Sequence, residues 1–237
     1  MSLCNDANES KKRESKSNIN IALKSIQTNI IWWIITFFCL LIINKHSGKN
    51  TFCETVISFI FAMIYGYYVH VIFHSLDFEK LYTESNNFIT RFLQQDENIN
   101  PVVLFIIRQL DFHSKIHHDS TVNKQPFNIF MECLQNIISQ GFLIIISSIE
   151  ILGFKFNFDG NAIIMWTLLY LSIHNINYNF VNQQIHIDHH INDKTNYGID
   201  LLDILFDTKS DLSIIENMNY YIINSIFITF FIIKFKL

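Results

Sequence analysis

Apolar residues in this chain come in long blocks broken by short polar stretches. "NIIWWIITFFCLLIIN" (29–44) and "TFCETVISFIFAMIYGYYVHVIFH" (51–74) are each long enough to cross a bilayer, and only the polar "KHSGK" separates them. That arrangement predicts a helical hairpin. After a polar stretch from Ser75 to Asn100, Pro101 opens "VVLFIIRQL", about half the length of a span, which fits a helix lying at the interface. "LQNIISQGFLIIISSIEILGF" (134–154) and "AIIMWTLLYLSIHNINYNF" (162–180) predict a second hairpin joined at "KFNFDGN". "YYIINSIFITFFIIKF" (220–235) is apolar but short, so pattern alone does not decide between crossing the bilayer and lying on it.

Composition agrees with a membrane protein. Half of the 237 residues are hydrophobic, 23 are Phe, 16% are charged, and Gly and Pro number only 6 and 2, which permits long uninterrupted helices. The net charge of −4 and the lack of a basic face with interleaved aromatics argue against nucleic acid as a partner. Four dispersed cysteines with no CxxC pair argue against a disulfide framework and against a thiolate zinc site. Residues 1–27 are polar and read as a disordered cytosolic tail, residues 28–211 as the membrane domain, and residues 212–237 as an apolar C-terminal segment. With the N-terminus in the cytosol, Lys and Arg lie mainly on the cytosolic side, as the positive-inside rule requires. The expectation is therefore an all-α, polytopic membrane helical bundle of about four transmembrane helices.

Histidine changes the picture. Nine of the ten histidines fall into four groups: His70 and His74 in "HVIFH"; His113, His117 and His118 in "HSKIHH"; His174 in "HNINY"; and His186, His189 and His190 in "HIDHH". All four groups fall on the predicted cytosolic side, and only His46 stands apart. One HxxxH is a weak signal, but two triples and a pair together are not. Neutral imidazole suits Fe, Zn, Cu and Ni, and nine donors exceed the need of one ion and divide naturally between two. None of these motifs contains Glu, so the HExxH arrangement of zinc hydrolases is absent. A redox-active metal pair beside the bilayer could activate dioxygen next to a lipid tail. Asp111, Asp119, Asp188, Asp193, Asp200 and Asp203 flank the triples and are candidates to accept the second imidazole N–H.

Taken together, these motifs, with "NYGIDLLDILFDT" (196–208) after the last, resemble the fatty acid hydroxylase and sterol desaturase superfamily of membrane non-haem di-iron oxygenases, over residues 51 to 209. The HxxxY at His174–Tyr178 and "PF" at Pro126–Phe127 are similar to the sterol C-5 desaturase branch. In the second motif three residues precede the His-His pair where the family has two, and Leu202 and Asp207 stand where the family's closing motif has tryptophan and glycine. The resemblance implies a helical bundle with a cytosolic, histidine-rich cap in which His70, His74, His113, His117, His118, His174, His186, His189 and His190 hold two iron ions, replaceable by zinc in a purified protein. It further implies O2 as oxidant, a sterol or fatty acyl lipid as substrate, and electrons from NAD(P)H through a separate cytochrome b5-type donor and its reductase. The location it implies is the endoplasmic reticulum membrane. The competing readings are a histidine-rich membrane metal transporter or metal-binding protein, and an inactive family member.

Overall fold

The computed structural model describes residues 18–84, 101–119, 125–146, 148–151, 153–178 and 184–235. It is mainly helical. Residues 18–28 form α1, followed by α2 (Ile30–Ser47), α3 (Phe52–Ser75), α4 (Phe78–Glu84) and α5 (Pro101–Leu110). A π-helical turn, His113–His117, leads on to α6 (Pro126–Gly141). Next come a short 3-10 turn, Phe142–Ile145, strands β1 (Ser148–Ile151) and β2 (Phe154–Asn157), and α7 (Gly160–Ser172), which runs into a second π turn, Ile173–Asn177. The chain ends with α8 (Gln184–Ile191), α9 (Asp200–Leu205) and α10 (Ile222–Phe235), the last entered through the 3-10 turn Met218–Tyr221.

Among the described residues, three helices are long and apolar enough to cross a membrane: Ile30–Ser47, Phe52–Ser75 and Met218–Phe235. The last resolves the ambiguous C-terminal block into a helix of spanning length. It packs along α2, with Asn29 Nδ2 donating to Glu216 O (2.9 Å) and Cys39 Sγ near Ser225 O (3.7 Å), so the two helices run parallel. Helix α3 starts at a capping box, in which Thr51 and Glu54 satisfy each other's backbone N–H groups, and returns antiparallel to α2. Phe37, Phe38, Phe227 and Phe230 point outward, as lipid-facing side chains should.

Two expectations from pattern fail. Residues 134–154 do not make one crossing helix: α6 ends at Gly141, and the following residues form an antiparallel hairpin that pairs Ile149 with Phe156 and Glu150 with Lys155. Apolar and polar residues alternate there with the period of a strand, and Gly153 sits in the turn at φ +81°, a conformation that favours glycine. A purely α description is corrected to that extent. Nor is the whole of 1–27 a tail. Residues 18–28 are helical, and Ser25 is buried with its hydroxyl donating to Asp200, because the polar residues of this segment complete a buried polar cluster. Residues 1–17, with Cys4, lie outside the described residues.

The core runs through Trp32, Phe59, Trp166, Ile163, Leu169 and Tyr221. Helix α7 is central and touches α3, α6 and α10. It begins beside α3's first turn, where Thr55 Oγ1 donates to Asp159 (2.5 Å), and ends at His174. Helix α6 approaches from the histidine end as far as Gly66 of α3. The bundle thus has one end built from residues 44–55 and 148–160, and an opposite end that gathers α1, α9 and every histidine group.

Candidate metal centre

Four separate segments bring nine imidazoles together at that end. His70 and His74 lie one turn apart on α3, and His186, His189 and His190 share a face of α8. His113 and His117 sit on the first π turn with His118 just beyond it, and His174 on the second. A π turn closes on i+5 rather than i+4, so it returns His118 towards the side of His113 while keeping His117 there. The ring centroids of His113 lie 4.8 Å from His117 and 5.5 Å from His118. The third spacer residue of this motif is what such a turn absorbs.

The donor atoms fall into three overlapping groups, within each of which the donor atoms lie within 4.8 Å of one another: His70, His74, His113 and His189; His113, His117 and His118; and His117, His174 and His186. Nε2 of His70 is 2.8 Å from Nε2 of His113 and 3.2 Å from that of His74, while Nε2 of His117 is 3.1 Å from that of His174. His190 joins through His186, Nε2 to Nε2 at 3.0 Å, and its ring stacks on His118 at 4.5 Å. His46, at the last turn of α2, belongs to the far end.

Several rings are oriented from behind. Nδ1 of His70 lies 2.6 Å from Tyr197 O, and Nδ1 of His189 lies 2.6 Å from Thr195 O. A carbonyl only accepts, so both Nδ1 atoms carry the proton and both Nε2 lone pairs point inward. Tyr178 stacks on His186 at 4.3 Å and Tyr170 on His174 at 5.5 Å. Burial, with the neighbouring imidazoles, keeps His186 and His189 well below the ordinary histidine range and pushes His190 down to about 4, so these rings are neutral near pH 7.

Of the six aspartates expected to back the imidazoles, Asp111, Asp188, Asp200 and Asp203 pair elsewhere, while the exposed Asp193 acts on His74 through its charge. Asp111 is buried but accepts from the backbone of Phe78 and Glu79 and from Lys115. Asp188 pairs with Gln184, and Asp200 with Lys209 and Ser25. Asp203 accepts from the N–H groups of Tyr197 and Gly198, and so fixes the loop whose carbonyls hold His70 and His189. The carboxylate that meets imidazoles is Glu132 of α6, with Oε2 2.9 Å from Nδ1 of His117 and Oε1 3.2 Å from Nε2 of His174. Burial would raise its pKa, but the close contacts with the His117 and His174 rings outweigh this and hold it well below the carboxylate range. The sequence did hold a signal for it: Glu132, Asn136 and Gln140 recur every four residues and are buried, while Phe130 before them and Ile137 and Ile138 between them are exposed. A helix with its polar stripe inward and its apolar side outward is what a lipid-facing helix beside a polar site requires.

The arrangement fits bound metal. Among the described residues, His189 Nε2 and His118 Nε2 are buried with no hydrogen-bond partner, a cost that an ion beside them would remove. Ligands about 2.0–2.2 Å from one ion stand roughly 3 Å from each other, which is the spacing of the Nε2 pairs. No protein-family model, curated protein or solved structure matches the chain.

Proposed function

We propose that this protein is a membrane-bound di-iron oxidoreductase that uses dioxygen to hydroxylate or desaturate the alkyl part of a lipid. The observation that carries this reading is the convergence of nine imidazoles from four segments at one end of an apolar bundle, five of them buried and four half-buried. One ion would be held by His70, His74, His113 and His189, the other by His117, His174, His186 and His190, with His118 between them. Bound there, the metal pair supplies the binding and reductive activation of O2.

The protein's own contribution is orientation and shelter. The carbonyls of Thr195 and Tyr197 hold their two imidazoles as Nε2 donors, and Tyr170 and Tyr178 keep the rings of His174 and His186 from turning. A cavity of about 30 Å³ lined by His70, Tyr170, His174, Tyr178, His186 and His189 is large enough for one small molecule. An apolar groove of about 580 Å³ lies between α3, α5 and α6, lined by Val69, Phe73, Leu110, Met131 and Leu134 among others. Its walls include the neighbours in sequence of His70, His74 and Glu132, which suits a lipid tail laid beside the centre. Hydroxylation consumes one O2, two electrons and two protons per C–H bond converted and releases one water; desaturation removes two hydrogens and releases two. The electrons come from NAD(P)H through a separate b-type cytochrome. Histidines gathered at one end, rather than spaced along a path through the bundle, favour oxidation over metal transport.

The test is metal content with lipid analysis. Detergent-purified wild type should hold about two irons per chain, and His189→Ala no more than one. A host expressing the wild type should show an oxidised or unsaturated sterol or fatty acid that the variant host lacks. A wild type without metal, or identical lipid profiles at equal expression, would refute the proposal.

A further inference from the structure

We propose that Glu132 is a tenth ligand, the anionic arm of the centre, with Oε1 donating to the ion held by His117, His174 and His186 while Oε2 fixes the ring of His117. The inference rests on the reading of the imidazole cluster as a metal centre and goes beyond it, since histidine spacing alone provides only neutral donors.

Three observations support it. The side chain is 7% exposed, and Oε1, buried on α6, makes no hydrogen bond among the described residues; its neighbour at 3.2 Å is Nε2 of His174, itself 3.1 Å from Nε2 of His117. Those separations equal the edge between ligands that share an ion. The other oxygen lies 2.9 Å from Nδ1 of His117, close enough to position that ring with Nε2 toward His174. Charge supplies the third argument. Nine neutral imidazoles around two divalent ions would leave four positive charges in a buried site, which is costly in low dielectric without an anion. Asp111, Asp200 and Asp203 are committed elsewhere, to backbone N–H groups, Lys115, Lys209 and Ser25, and Asp193 acts on His74 from the exposed surface, whereas Glu132 is buried against the cluster.

Glu132→Gln in the full-length protein keeps size and a hydrogen-bond acceptor for His117 but removes the charge. Metal is added back to stripped protein as Co(II), whose d–d absorption reports the ligand set. The wild type should bind about two ions, and E132Q should bind the second at least 10-fold more weakly with a changed spectrum. A variant that binds two ions with unchanged affinity and spectrum overturns the proposal. Should E132Q fail to fold, the infrared difference between zinc-loaded and stripped wild type decides. A shifted carboxylate stretch supports ligation, and no shift overturns it. A wild type that takes up no metal would overturn the oxygenase reading as well, whereas a metal-replete wild type beside an equally replete E132Q overturns only the carboxylate ligand.

Discussion

At the scale of single residues, burial sets the chemistry. Behind Tyr178 a polar cluster joins Ser25, Asp200, Lys209, Glu216 and Tyr221, with both tyrosine hydroxyls donating to Glu216. Burial pushes the Glu216 carboxyl up to about 7, against the opposing hydrogen bond from Tyr221. Its reference value is 4.5, so the folded protein holds this proton over a range where the unfolded chain has released it. Stability from this group is therefore fully retained below about pH 4.5 and lost as pH rises through 7. Glu216→Gln should abolish that slope. Thermal melts of variant and wild type at pH 5 and pH 8 should show the variant gaining on the order of 1–3 kcal/mol at pH 8 relative to pH 5. Asp207 makes a related point. It holds φ +59°, in the left-handed region, at the position where the resembled family carries glycine, and aspartate is among the residues that tolerate that region.

At the scale of elements, close approach and turn type position the site. Helices α3, α6 and α7 meet at Gly66, where an added Cβ would stand 2.0 Å from Gln140 Oε1 and 2.9 Å from Trp166 Nε1. Gln140 accepts from that indole at 3.1 Å, so the clash can be relieved only by breaking a buried hydrogen bond. Gly66→Ala should cost about 1–3 kcal/mol of stability, and much of the cost should vanish when Gln140→Ala is added, as a double-mutant cycle on thermal or denaturant unfolding would measure. The two π turns act differently: each places an additional residue within a helix and turns histidines inward at the point where the helix meets the centre.

At the scale of the whole molecule, three helices of spanning length predict that the two ends of the bundle face opposite sides of a membrane. Cys53, exposed at the start of α3, belongs to the end away from the histidines, while Ser210 lies beside Asn196 at the histidine end. In chains with a single cysteine, Cys53 and an S210C substitution should be labelled by an impermeant maleimide from opposite faces of sealed vesicles; labelling from one face would refute this topology. Helices α2, α3 and Met218–Phe235 expose broad apolar surface, as a bundle solvated by lipid should.

The apolar blocks, the existence of the long helices and the grouping of the histidines were legible in the sequence, because length, hydropathy and i, i+3, i+4 spacing are local properties of the chain. Even the buried stripe of α6 was written there as Glu132, Asn136 and Gln140, although reading it as an inward face required knowing which way the helix turned. What only the tertiary structure decided is non-local. It brought His70 to within 2.8 Å of His113 across 43 positions, and His174 to within 3.1 Å of His117 across 57. It directed Asp111 and Asp203 to backbone N–H groups while leaving Glu132 facing the imidazoles. Spacing along one helix specifies which residues share a face, but which faces meet is settled by packing among helices, where burial and hydrogen-bond satisfaction act on all segments at once.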